Sequence, residues 1–117
     1  MRTLTHQESA RQMLAQGFEE LADGDSRQAS EKGWDAAAQM IKAVASRRGW
    51  QHDTHASLYR VIDQLVEETG DDGIRRQFTV ANALHFNSCE NWGDPDYVAG
   101  GLTDVGKLLD RLEPLLD

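Results

Sequence analysis

The chain reads as all-α: an antiparallel up-and-down bundle of about five helices forming one domain over residues 1–117. Three observations predict this. Apolar residues recur at intervals of three and four along five segments, the spacing that gathers side chains on one helix face. Capping and stop signals bracket those segments, among them Thr5 with Glu8, Gly49, Gly70 and Asp94-Pro95. No segment alternates apolar and polar residues with a period of two, so no sheet is expected. Short connections between the segments favour antiparallel neighbours.

Thr5-His6-Gln7-Glu8 is a capping box that opens a first helix, whose apolar face carries Ala10, Met13, Leu14, Gly17, Phe18 and Leu21. Asp23-Gly24-Asp25-Ser26 is a tight turn, with Asp25 or Ser26 able to cap the next helix. That second helix is expected from about Arg27 to Arg48, with apolar or small residues around more than half its circumference. Such breadth marks the central helix, and its alanines permit close approach of neighbours. Gly49 stops it, behind two arginines that complement the carbonyl end. Asp53 or Thr54 caps a third helix carrying Leu58, Tyr59, Ile62, Leu65 and Val66 and ending near Gly70. A fourth begins at Asp71-Asp72 and runs to about Asn87, and a fifth begins at Asp94-Pro95. Gly100-Gly101 is expected to bend or interrupt that last helix before a leucine-rich stretch to Leu116.

A formal charge of -8 argues against broad binding to a phosphate backbone, which needs a basic face. The single cysteine, Cys89, excludes an internal disulfide and suits a reducing compartment. No leader pattern and no membrane-length apolar run is seen, so a cytoplasmic protein is expected.

The most informative stretch is Ala81 to Trp92. Ile74, Phe78, Ala81 and His85 share one helical stripe, which places an imidazole at the edge of a core, followed at once by Asn87, Cys89, Glu90 and Trp92. On the second helix Glu31, Asp35, Ala38 and Lys42 share one line, so two carboxylates and an ammonium flank the apolar face. They suggest a polar pocket with His55 or His85, against the plainer reading of a solvated charged edge. Arg47 and Arg48, with His52 and His55, offer an arginine–histidine pairing suited to metal-free RNA cleavage. The imidazole would move the 2′-hydroxyl proton and the guanidinium would stabilise the phosphorane. Dipole partners and cap residues are the structural alternative. His52 with His55, and His85 with Cys89, have spacings a metal could use, but neither has cysteine-rich zinc spacing, and no metal or cofactor is expected. Trp92, Tyr97 and His85 suggest an aromatic pocket at one bundle end. The first hairpin loosely resembles a tetratricopeptide unit, without a second copy.

Glu31-Lys32-Gly33-Trp34-Asp35-Ala36-Ala37-Ala38, followed by Ile41-Lys42, resembles the second-helix signature of the PaREP-type family of HEPN-like proteins. Ala83-Leu84-His85-Phe86-Asn87 through Glu90-Asn91-Trp92 is similar to that family's Leu-His-x-Asn-Phe-Tyr-Glu segment, with Ser88-Cys89 in place of its aromatic pair. His55-x2-Leu58 and the closing leucine-rich helix fit as well, so the resemblance spans about Leu14 to Leu116. It implies a helical bundle, often dimeric, in a superfamily linked to nucleotide binding, nucleotidyltransferase partnership and RNA cleavage. Ribonuclease members carry Arg-x4–6-His on a late helix, whereas here the matching spacings sit at Gly49, after the second helix.

Together these readings favour a non-catalytic binding or interaction module, a homodimer through its leucine helix, acting on a nucleotide, another small anion or a partner protein such as a nucleotidyltransferase. The expected ligand site is Glu31, Trp34, Lys42, His55, His85, Asn87 and Trp92, with Lys42 meeting the anionic group and the tryptophans as walls. The alternative is a toxin-like metal-independent ribonuclease using Arg48 with His52 or His55.

Overall fold

Side-chain caps set where the helices begin. A computed structural model of the chain describes residues 5–90 and 94–116, with residues 89 and 90 described by their backbone only. Within it lie α1 (His6–Ala22), α2 (Ser26–Arg48), α3 (His55–Thr69), α4 (Asp72–Glu90) and α5 (Pro95–Leu112), with a closing 3-10 turn at Glu113–Leu116. No strand occurs among the described residues. The Thr5–Glu8 capping box forms as expected, Asp25 caps α2, and Asp94 caps α5 ahead of Pro95. Thr54, rather than Asp53, caps α3, through a reciprocal pair with Ser57. Gly49 and Gly70 adopt left-handed conformations (φ 70° and 72°) that end α2 and α3, which is the reason for glycine at both places.

α2 is the axle of the bundle, packing on α1, α3, α4, α5 and the 3-10 turn. Ala29, Ala36, Ala37, Met40, Ile41, Val44 and Ala45 on it are fully buried. The short alanine side chains bring neighbouring backbones close, and Gly33 carries this furthest. A Cβ there would lie 2.8 Å from both Leu84 Cδ1 and Leu102 Cδ2. The overall extents of 38 × 37 × 23 Å describe a slab, its thin direction matching about two helix diameters.

Two expectations need correction. α4 runs on to Glu90, a few residues past the end expected near Asn87, so Ser88 also lies within the helix. α5 runs uninterrupted through Gly100-Gly101, and Gly101 is a packing position: a Cβ there would meet Leu84 Cδ2 at 2.7 Å. Leu84, fully buried, thus packs closely on both Gly33 and Gly101. Leu102, Val105, Leu108, Leu109 and Leu112 of α5 are all fully buried within the chain. That leucine face is used inside the fold, and among the described residues Phe18, Tyr59, Phe86 and Tyr97 are the exposed large apolar side chains. Among the described residues no helix is long and apolar enough to cross a membrane.

Candidate ligand site

Three helices meet around Trp34. Its indole leaves the buried face of α2 and is only 6% exposed. His55, the first residue of α3, is held in place by the Thr54–Ser57 capping box and stacks on Trp34, with ring centroids 4.9 Å apart and planes 20° off parallel. His85 of α4 comes to 5.2 Å from Trp34 and 5.7 Å from His55. Two imidazoles from different helices therefore converge on one indole.

Each imidazole has a distinct setting. His55 Nε2 lies 3.1 Å from Asn82 Oδ1, and Asn82 Nδ2 donates to the Tyr59 hydroxyl at 2.9 Å. With the amide so oriented, neutral His55 carries its proton on Nε2 and leaves Nδ1 as an acceptor. His85 Nδ1 is buried without a hydrogen-bond partner, and Glu31 Oε2 stands 3.8 Å away, too far for a hydrogen bond. Glu31 is anchored instead by the Ser88 hydroxyl, 2.6 Å from its Oε2.

Beside this cluster, between α2 and the start of α3, lies an open cavity of about 220 Å³ walled by Trp34, Asp35, Gln39, Lys42, His52 and His55. Asp35, Ala38 and Lys42 supply one wall because they share a line along α2. Burial pushes the Asp35 carboxyl above its ordinary value and the negative charge of Glu31 adds to this, while Lys32, His85 and Lys42 offset it in part. Neither Asp35 nor Lys42 has an ion-pair partner within 4 Å among the described residues. His52 is steadied by the Trp50 carbonyl at 2.9 Å from its Nδ1. His6 meets His52 edge-on at 6.3 Å and places its Nδ1 2.6 Å from Gln39 Oε1. The 4 histidines of the chain thus form two ring pairs, His6 with His52 and His55 with His85, each with one member on the cavity wall.

Of the residues expected at a site, Trp34, Lys42 and His55 line the cavity, and His85 adjoins it through Trp34. Glu31 borders a neighbouring depression with Asp25, Arg27 and Ser88. Asn87 is not brought to the cavity: it is fully buried and donates from Nδ2 to Ser30 Oγ at 2.6 Å, tying α4 to α2. Trp92 lies outside the described residues, and so does the side chain of Cys89. Tyr97 is exposed, and its expected pocket with Trp92 falls partly outside the described residues. Arg48 is engaged elsewhere, by Glu68, by the Leu115 carbonyl at 3.4 Å and by the face of Trp50 at 5.3 Å. Among the described residues no hydrogen bond joins Arg48 to His52 or to His55. No cluster of three or more metal-binding side chains occurs among the described residues.

Asn82, which bonds His55, and Tyr59 and Gln39 were not among the residues expected at the site. A signal existed, since Tyr59 follows His55 by one helical turn and so shares its face.

Residues 5–109 match the archaeal PaREP1/PaREP8 family, nearly the whole chain. The chain belongs to that family. All six named walls of the cavity fall inside the PaREP1/PaREP8 span. The fold is similar to a crystal structure of a Sulfolobus solfataricus protein, with a TM-score of 0.82 and 22% identity over 100% of this chain and 99% of the other. At that identity the likeness establishes this PaREP1/PaREP8 chain's fold alone. No curated protein matches the chain.

Proposed function

We propose that this PaREP1/PaREP8 chain is a binding module, without catalysis of its own, whose cavity between α2 and α3 receives the anionic group of a small ligand. The observation that carries this reading is Lys42, an ammonium without an ion-pair partner among the described residues, on a cavity wall shared with His52 and His55. The cavity also adjoins the first turn of α3, where Thr54 Oγ1 satisfies the Ser57 amide and the two preceding amides precede any intrahelical acceptor. The helix dipole adds positive potential there. The resemblance to HEPN-like bundles supports a nucleotide phosphate as one form of the anion, and a nucleotidyltransferase as a partner that would present it.

Titration of the protein with inorganic phosphate and with ADP, followed by calorimetry, tests the reading. Saturable binding is expected, weakened about tenfold or more by Lys42→Met, the scale of one charge-assisted contact. Equal affinity of wild type and Lys42→Met would remove Lys42 from the site and the reading with it. Incubation with RNA in chelator gives the contrasting outcome: cleavage abolished by His55→Ala would establish an enzyme instead.

A further inference from the structure

The uncompensated charges on the cavity wall are of both signs. Asp35 and Lys42 stand two turns apart on α2, about 10 Å along its axis, with Ala38 and Gln39 between them on the same wall. Neither has an ion-pair partner within 4 Å among the described residues. The other carboxylate on the rim, Asp53, accepts from Gln51 Nε2 at 3.0 Å, and the amide oxygen of Gln39 is turned to His6. Asp35 is partly buried, and its carboxyl sits above the ordinary range because burial and the charge of Glu31 outweigh the offset from Lys32, His85 and Lys42.

An occupant bearing only negative charge would answer Lys42 and add repulsion at Asp35. One bearing only positive charge would do the reverse. Both penalties vanish for a ligand carrying an opposite charge at each end. We infer that the cavity is built for a small zwitterion, an extended amino acid whose ammonium lies against Asp35 and whose acid group lies against Lys42 and the first turn of α3. The inference rests on the anion-binding reading of the same cavity and adds the second pole. The volume of about 220 Å³ suits a metabolite-sized chain and falls below the range usual for drug-sized ligands. His55 stacked on Trp34 already occupies one face of the indole, and a plain methylene chain is the simplest middle that joins the two charges.

Three probes of one length separate the possibilities: 6-aminohexanoate carries both charges, hexanoate the acid alone and hexylamine the amine alone. Calorimetry on the full chain is expected to rank 6-aminohexanoate at least tenfold tighter than either single-charge analogue. Asp35→Asn is expected to abolish its advantage over hexanoate while hexanoate binding persists, and Lys42→Met to abolish its advantage over hexylamine. Far-ultraviolet circular dichroism of both variants confirms that they fold. Hexanoate binding as tightly as 6-aminohexanoate would overturn the zwitterion and leave the anion site standing. Tightest binding of hexylamine, or a preference unaltered in Asp35→Asn, would also overturn it. Binding of none of the three, nor of phosphate, would overturn both readings.

Discussion

Leu84 should reveal by its couplings how tightly this bundle is locked. It is fully buried, and the three nearest atoms to a Cβ built on Gly101 all belong to it, at 2.7, 3.1 and 3.1 Å. Carbon atoms settle at about 3.5–4.0 Å, so Gly101→Ala forces Leu84 aside in a packed interior. Overpacking of this kind costs about 1–3 kcal/mol, and replacing glycine within a helix returns about 0.5–1 kcal/mol. The single substitution is therefore expected to destabilise by roughly 0–2.5 kcal/mol. Leu84→Ala alone should cost about 3–5 kcal/mol through lost burial and the void it leaves. In that background the clash at position 101 disappears, and Gly101→Ala should become stabilising by about 0.5–1 kcal/mol. The coupling is the overpacking contribution itself, about 1–3 kcal/mol. Urea denaturation of the four proteins, read by circular dichroism at 222 nm with a common slope, measures it. Costs that add within about 0.5 kcal/mol would refute the claim that Leu84 is gripped by Gly101.

Three further outcomes follow from the polar groups. Asp35 has a raised folded-state pKa, so its ionisation removes stability as pH climbs above its ordinary 3.8 and through the folded value; Asp35→Asn should be the more stable protein at pH 7, with the gap closing below 3.8. Melting curves across that range check this, and an Asp35→Asn variant less stable at pH 7 would contradict it. Asp71 behaves oppositely, because hydrogen bonds from Arg111 and then from the Gly73 amide hold its carboxyl below the usual range. Its contribution is present above 3.8 and lost as pH falls through the folded value, so Asp71→Asn should lower the melting temperature at pH 7 and matter progressively less in acid. Asn87→Ala strips a buried donor from Ser30 and should cost about 1–3 kcal/mol in urea denaturation; a loss under about 0.5 kcal/mol would deny that it ties α4 to α2.

The helices were legible because each is announced locally. Thr5 with Glu8, Asp94 with Pro95, and glycine at 49 and 70 act within a turn of their own position, and the structure places a cap or stop at each. Gly101 was misread as an interruption because the signal for a break and the signal for close packing are the same residue. Only its neighbour Leu84, distant in sequence, decides between them. The site shows the same division. The line Glu31–Asp35–Ala38–Lys42 follows from helix geometry, and His55 can be placed at a helix start by Thr54. That His55 lies flat on Trp34, that Asn82 turns to His55 rather than His85, and that Arg48 reaches Glu68 all depend on how α3 sits against α2 and α4. Such tertiary placement leaves no periodic trace in the chain.

The central claim, that the cavity at Lys42 and His55 seats an acid group, is tested most directly by residue-resolved NMR of the protein titrated with inorganic phosphate. Saturable shifts are expected, concentrated at the Trp34 indole, at Lys42, His52 and His55, and at the amides opening α3, all lost in Lys42→Met. Shifts scattered over the arginines at 11, 75 and 111, or a pattern unchanged in Lys42→Met, would contradict it.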